Sequence, residues 1–401
     1  MSRSTLDFVP APAQGVESWK LDGERLLWRG ATLHRLDPMG SLVWECFDGQ
    51  ASIADIGRML ADVFAEPEAA VHRDLRELCD ELLDTGLLAG GSPESPDPPP
   101  FIKMGRTPSA PLQRENDLPY RTGHFRAFDH DFAVRTDDAR LAAYFDRSLR
   151  SFASAGAPAR WYSVVSTAQP DERYRIYLDD EGLLAATDAD AVARYLLWHV
   201  NYTVITGSSP HLLIHAAGAT EDGWAIALPG EMNAGKTTLV AGLVLDGLQF
   251  LTDELVALNL ATGLIDPYPR PLNIGFGSWE VLAPLRPPDR DTAEPLPELV
   301  WHVEPQSIRP DAVAQPAPLA WVVAPRFEKG SPTRLEPMSR PEAAVVLHRN
   351  CFNHHRFGSD GVRALVTAVS RARCARMVSG DLGEAVRAVR RFMEENRPDD
   401  A

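Results

Sequence analysis

The sequence predicts an α/β domain built around a strand, a glycine-rich loop and a helix, preceded by a small winged-helix-like domain of three strands and three helices. Apolar runs with strand and helix spacing alternate from about residue 121 onward. The run WAIALPG leads directly into a glycine-rich loop and then into a helical pattern. The segment GGSPESPDPPP interrupts all periodic sequence. We therefore expect domains at 18–91 and 121–395, joined by a Pro-rich linker over 92–120.

Composition and charge restrict the partners of this chain of 401 residues. Its 40 basic and 56 acidic residues give a net charge of −16, which opposes binding to nucleic acid or to anionic lipid. The four cysteines form no CxxC motif. The sequence also has no uninterrupted run of about 18 apolar residues, the length that a membrane-spanning helix needs. We expect a cytoplasmic protein with reduced thiols and with neither a nucleic acid nor a membrane partner.

The N-terminal region contains signals for each element of the small domain. WKLDG, ERLLWRG and ATLHRLD have the composition of short strands separated by glycine turns. Asp37 and Pro38 have the pattern of an N-cap and a first helical residue, Ser52 and Asp55 form a capping box, and Pro67 begins a third helical pattern. Three strands followed by three helices predict a winged-helix-like fold.

This pattern resembles the PqqD family, also called the RiPP recognition element, over residues 18–91. The resemblance rests on LHRLDPMGSLVWECFDG, SIADIGRMLADVF and LRELCDELLDTGLL. It implies that the third strand, residues 31–36, accepts a leader peptide as an additional strand, with residues 75–82 as the second wall. A winged helix used for dimerisation or DNA contact is the alternative, and the acidic third helix disfavours DNA. The peptide-binding candidates are Leu33, Leu36, Leu75 and Leu78.

The glycine-rich loop has the composition of a phosphate site. GEMNAGKTT fits GxxxxGK[ST] between a strand and a helix. In such a loop backbone N–H groups surround phosphate oxygens, Lys236 reaches the β- and γ-phosphates, and the Thr237 hydroxyl binds Mg²⁺. Asn233 replaces a common glycine but tolerates a left-handed conformation. The nucleotide-binding candidates are Gly230, Glu231, Met232, Asn233, Ala234, Gly235, Lys236, Thr237 and Thr238.

Two adjacent acids follow the loop at a distance suited to a metal-nucleotide site. Asp253 and Glu254 stand seventeen and eighteen residues past Lys236, at the end of an apolar strand pattern. Adjacent carboxylates can divide metal coordination and proton transfer between them. The alternative is an ordinary solvated strand end.

The spacing of these groups resembles the catalytic domain of HPr kinase/phosphorylase and related kinases. The shared pattern is a histidine fifteen residues before the loop, here His215, then the loop, then the acid pair. The resemblance implies that Asp253 is the base toward a Ser/Thr hydroxyl, that Glu254 and Thr237 hold Mg²⁺, and that His215 supports the aspartate. Without this spacing, His215 in an apolar strand would be read as a core residue. Arg270 and Arg326 are weaker candidates for phosphate or substrate contacts.

A histidine and cysteine cluster near the C-terminus is a further candidate. His348, Cys351 and His355 would share one face if HRNCFNHHRF were a helix, and such a face could hold zinc. An amphipathic helix edge is the simpler interpretation.

Together these patterns predict an ATP-dependent phosphotransferase that uses Mg²⁺ and phosphorylates a Ser/Thr hydroxyl of a ribosomally made precursor peptide held by its leader. The alternatives are a small-molecule or sugar kinase and a nucleotide-gated peptide chaperone without catalysis. Homo-oligomer formation stays open, since the resembled catalytic domains often form hexamers.

Overall fold

The computed structural model describes residues 4–91, 107–108, 111–112, 118–287 and 300–398. Two compact units are present: one comprises Met1–Pro99 with Pro337–Ala375, and the other Pro100–Glu336 with Arg376–Ala401. Most of the linker expected over 92–120 lies outside the described residues. Among the residues described, no helix is long and apolar enough to cross a membrane.

The secondary structure is mixed α/β. The strands are β1 (Glu17–Leu21), β2 (Glu24–Arg29), β3 (Thr32–Leu36), β4 (Tyr120–Arg121), β5 (Phe125–Ala127), β6 (His130–Thr136), β7 (Arg160–Ser166), β8 (Tyr174–Leu178), β9 (Glu181–Ala186), β10 (His211–Glu221), β11 (Trp224–Pro229), β12 (Gln249–Thr252), β13 (Leu255–Asn259), β14 (Ile265–Asp266), β15 (Leu272–Gly275), β16 (Val300–Val303), β17 (Leu319–Phe327), β18 (Arg334–Pro337) and β19 (Arg373–Ser379). The helices are α1 (Pro38–Glu45), α2 (Ile53–Phe64), α3 (Glu68–Asp84), α4 (Ala139–Ser148), α5 (Ala189–Gly207), α6 (Lys236–Leu245), α7 (Pro305–Ile308), α8 (Arg340–Arg349), α9 (Gly358–Val369) and α10 (Leu382–Glu395).

The first unit is built on an antiparallel sheet with the order β1-β2-β3. The helix starts follow the sequence signals: the Asp37 carboxylate accepts a hydrogen bond from the Gly40 N–H, and Ser52 and Asp55 form a complete capping box at α2. Leu27 and Leu36 point to one face of the sheet and pack in a core with α1, α2 and α3. This half of the unit agrees with the fold that the sequence predicts.

The opposite face of the same sheet is covered by residues from far along the chain. Leu26 and Leu33 pack there against α8 and α9. Arg340 pairs with Asp22 at 2.9 Å beside this core. The sequence-based boundaries place 337–375 in the second domain, whereas the structure groups it with the first, because it buries the second face of the β1-β2-β3 sheet. The apolar residues that α8 and α9 contribute are Ala344, Val345, Val362 and Val366.

The second unit positions the site through an eight-stranded sheet. Its order is β14-β13-β10-β11-β17-β19-β18, and β12 also pairs with β10. In β10, His215 pairs with Leu255 of β13, and Ala216 pairs with Pro229 at the end of β11. The end of β11 and the start of β13 therefore lie on either side of the same point in β10. Helix α6 packs closely on α10, since a Cβ at Gly242 would lie 2.9 Å from Leu382 and Val386 side-chain atoms.

A separate six-stranded sheet has the order β4-β6-β7-β8-β9, with β5 on β6. A polar group inside it joins β7 to α5: the Tyr162 hydroxyl lies 2.9 Å from Nδ1 of His199 and 3.1 Å from Nε2 of His130. Burial lowers the pKa of each histidine to about 4. These contacts fix α5, which also supplies a residue to the acid pair described below.

We expect acid to destabilise this unit through the two histidines. The unfolded chain binds protons at these histidines below about pH 6.5, whereas the folded chain binds them only near about pH 4. The free energy of unfolding is therefore highest above about pH 6.5 and falls as the pH decreases from about 6.5 to about 4. Each histidine contributes at most about 1.4 kcal/mol per pH unit. Urea unfolding across the window should show a shallower pH dependence in His199→Gln than in the wild type. Equal slopes would contradict the assignment.

Candidate functional site

The loop between β11 and α6 has the backbone that its glycines predict. Asn233 has a φ of 66° and Gly235 a φ of 88°, both in the left-handed region. A Cβ at Gly235 would lie 3.3 Å from Cβ of Phe327, and one at Gly230 would lie 3.1 Å from Cβ of Ala234. Side chains at the two glycines would therefore crowd the loop that leads into the first turn of α6.

Lys236 lies inside this loop. Its side chain is buried, and Nζ donates to the carbonyl oxygens of Gly230 at 2.6 Å and Glu231 at 2.8 Å. Burial lowers the pKa of Lys236, and the nearby Glu254 carboxylate opposes this shift. A cation enclosed by a loop at a helix N-terminus fits a phosphate group, because the first N–H groups of a helix have no partner within it.

The other loop residues divide by exposure. Glu231, Met232 and Asn233 are exposed, while Ala234, Thr237 and Thr238 are half-buried. The Thr238 hydroxyl lies 2.6 Å from that of Ser278, a neighbour that the sequence analysis did not identify. Thr237 is the second residue of α6, a position from which its hydroxyl could coordinate a metal ion bound to a phosphate group.

The acid pair follows the end of β12 directly and forms the bend that connects β12 to β13. Because the Thr252 hydroxyl accepts hydrogen bonds from the N–H groups of Glu254 (3.1 Å) and Leu255 (3.0 Å), the chain turns after β12 and resumes as β13. The Glu254 carbonyl accepts from the Ala216 N–H at 3.1 Å. The bend is thus fixed to β10 one residue from His215.

Arg270 binds both acids. Its Nε lies 3.0 Å from Oδ1 of Asp253 and its Nη2 lies 2.5 Å from Oε2 of Glu254. The Asn273 N–H donates to the second oxygen of Asp253 at 3.0 Å. Arg270, a weak candidate for phosphate contact from sequence, is therefore the cation that holds the two carboxylates together.

The two carboxylates differ in their access to solvent. The side chain of Asp253 is 1% exposed and that of Glu254 is 28% exposed. Asn201 of α5 donates to Oε2 of Glu254 at 3.1 Å, and the buried Tyr268 hydroxyl donates to Asn201 at 2.6 Å. Glu254 is therefore a supported but accessible carboxylate, whereas Asp253 is enclosed. In the sequence, Asn201 stands out as a polar residue within an otherwise apolar helical pattern, and this was the feature that could have indicated its contact with Glu254.

His215 belongs to the same electrostatic cluster. Burial lowers its pKa, and Lys236 and Arg270 lower it further, while Glu254 and Asp253 act in the opposite direction. A neutral imidazole beside the acid pair is the form that this environment favours. The structure thus brings His215, Lys236, Asp253, Glu254 and Arg270 into one region of the second unit.

Arg326 lies near the loop but outside this cluster. It stands at the end of β17, its side chain is 75% exposed, and its Nη2 is 3.7 Å from Oε2 of Glu328. The next residue, Phe327, donates its N–H to the Ala234 carbonyl at 3.1 Å. An exposed arginine beside the loop can reach a bound anion from solvent.

The leucines expected to contact a peptide have mainly structural positions. Leu33, Leu36 and Leu75 are buried, and Leu78 is half-buried. Leu33 lies under α8 and α9, and the other three belong to the core with α1, α2 and α3. In the described sheet β3 is an outer strand, so its backbone edge is the part that could accept a further strand.

The histidine and cysteine cluster does not form a helical face. Helix α8 ends at Arg349, so Cys351 and His355 lie beyond it. Burial lowers the pKa of His348 to about 4, and its ring packs 4.9 Å from that of His354. Within the described ranges, no group of three or more His, Cys, Asp or Glu side chains is arranged to hold a metal ion.

Comparisons with known proteins identify the N-terminal region. Residues 24–88 match the family model of "Coenzyme PQQ synthesis protein D (PqqD)", as the sequence resemblance predicts. Among solved structures, the Hpr(Ser) kinase/phosphatase from Coxiella burnetii is similar, with 16% sequence identity and a TM-score of 0.24 over 46% of this chain and 98% of that chain. The sequence pattern of residues 121–395 resembles the same kind of protein. No curated protein matches the chain.

Proposed function

We propose that this protein is an ATP-dependent kinase that phosphorylates a Ser/Thr hydroxyl of a ribosomally synthesised precursor peptide, which it binds through the leader. One observation carries the proposal: a buried lysine in a glycine loop shares an electrostatic cluster with two adjacent carboxylates. The PqqD match at 24–88 supports a peptide as the partner.

The loop supplies the charges that such a reaction requires. When bound, ATP would supply the γ-phosphoryl group and Mg²⁺ would neutralise part of its charge. Lys236 and the first N–H groups of α6 bind the phosphates and offset the negative charge that develops during transfer. The resemblance implies Thr237 and Glu254 as protein ligands of Mg²⁺; we keep Thr237 in this role and assign Glu254 to proton transfer, since Mg²⁺ usually keeps several waters and binds phosphate oxygens.

The acceptor hydroxyl must lose a proton to a carboxylate. The resemblance assigns this role to Asp253, but burial favours Glu254. Both hydrogen bonds of Glu254 described above fall on Oε2, and a carboxylate has about four lone-pair sites, so Oε1 can receive the proton. In this assignment Asp253 holds Arg270 in place, and Arg270 and Asn201 orient Glu254.

Leader binding would raise the concentration of the acceptor at the site. A tethered core peptide meets the catalytic residues in a nearly intramolecular step, which can raise avidity by about 10²- to 10⁴-fold without a new contact. Weak recognition of the acceptor sequence is then sufficient.

The direct test is to incubate the full chain with ATP, Mg²⁺ and each short peptide encoded beside its gene, and to follow the peptides by mass spectrometry. We expect the mass of one phosphoryl group to appear on a serine or threonine. An unmodified peptide together with phosphorylation of a sugar would favour a small-molecule kinase. Peptide binding that depends on ATP without any transfer would favour a chaperone.

A further inference from the structure

The outer edge of β3 lies between two helices that occupy opposite faces of its sheet. Alternation along the strand places His34 and Leu36 on the face toward α3, and Leu33 and Arg35 on the face toward α8. A peptide added to this edge would likewise direct alternate side chains toward α3 and toward α8.

The α3 side is acidic. Nε2 of His34 lies 3.8 Å from Oε1 of Glu81, so Glu81 marks the part of α3 nearest to the strand. Glu81 and three further exposed acids of α3 recur at intervals of three and four residues, which places all four on one face of the helix. The exposed acids that form this face are Asp74, Glu77, Glu81 and Asp84.

The α8 side comes from residues 337–375, which the sequence-based boundaries assign to the second domain. Leu33 packs in one core with α8, and Arg35 lies 3.8 Å from Glu342 near the start of the helix. Arg349 is exposed and lies seven residues after Glu342, so it shares the face of α8 on which Glu342 meets Arg35. Helix α8 therefore carries a cationic side chain on the same face as its contact with β3.

We propose that a leader peptide pairing with β3 is held between α3 and α8, so that Arg349 forms part of the peptide-binding surface. This inference rests on the proposed function, because it takes the leader as the occupant of the edge. Charge complementarity then specifies the peptide: its side chains on the α3 side carry basic residues, and those on the α8 side include an acidic residue opposite Arg349.

The test compares two charge reversals in the full chain. The probe is a fluorescein-labelled short peptide from a reading frame beside the gene, chosen because the wild-type chain binds it, and binding is followed by anisotropy. We expect Arg349→Glu to weaken binding about tenfold. Arg58→Glu, which makes the same charge change on the exposed surface of α2, should leave binding within about twofold.

Further measurements separate the outcomes. Changing acidic residues of the peptide to lysine one at a time should identify a peptide that binds Arg349→Glu better than the original peptide does. Equal binding of the original peptide by wild type and Arg349→Glu, both with the same melting temperature, would overturn the role of α8 and leave the kinase proposal intact. If the wild-type chain binds none of the short peptides encoded beside the gene, the leader-binding part of the proposed function fails as well.

Discussion

Replacing Lys236 with alanine should reduce phosphoryl transfer to the precursor peptide by about two to three orders of magnitude. The ammonium group is buried in the loop and donates to two of its carbonyl groups, so its loss removes both a structural contact and the charge nearest the proposed phosphates. The readout is the rate of phosphopeptide formation by mass spectrometry. Binding of the labelled peptide should be unchanged, because Lys236 belongs to the other unit.

Lys20 provides a matched control for Lys236. Lys20 is 58% exposed on β1 and pairs with Glu45, so Lys20→Ala removes the same charge without affecting the loop. We expect normal transfer in this variant. Normal transfer in Lys236→Ala would mean that the loop does not bind the transferred group, and the kinase assignment would be abandoned.

The second large effect is expected at the acid pair. Glu254→Gln should reduce transfer by about 10²- to 10⁴-fold, because glutamine keeps the shape of the side chain but cannot accept the proton. Its amide oxygen can still accept from Asn201 and Arg270, and Asp253 still pairs with Arg270, so the melting temperature should fall less than in Asp253→Asn. Single-turnover measurements with saturating ATP would separate this loss from a loss of nucleotide binding.

Asp253→Asn provides the comparison. Its carboxylate is enclosed by Arg270 and the Asn273 N–H, so its removal should lower the free energy of unfolding by about 1–3 kcal/mol. Urea unfolding measures this cost. If Asp253→Asn loses far more transfer activity than Glu254→Gln while the folded protein stays intact, the base is Asp253, as the sequence resemblance implies.

Local sequence patterns predicted the parts of the site that are encoded by neighbouring residues. The left-handed Asn233 and the start of α6 at Lys236 follow from side-chain and backbone preferences within a few positions. The division of the acids could not be predicted in the same way. It depends on Arg270, Asn201 and Tyr268, which reach Glu254 and Asp253 from separate elements.

In the first unit, too, local features were predictable from the sequence and contacts between distant segments were not. Its helix caps at Asp37 and Ser52 are local and were predicted. The burial of Leu26 and Leu33 was not, because their partners in α8 and α9 follow about three hundred residues later. An alternating strand shows that both faces contain apolar residues, but it does not show which distant segment covers the second face.

The discontinuous first unit has a consequence for synthesis on the ribosome. Leu26, Leu33 and the half-buried Trp28 leave the exit tunnel long before residues 337–375 are translated. At elongation rates of about 5–20 residues per second, this apolar surface stays uncovered for tens of seconds. Nascent chains should therefore need chaperone protection until translation is almost finished, and proteins truncated before α8 should aggregate during expression.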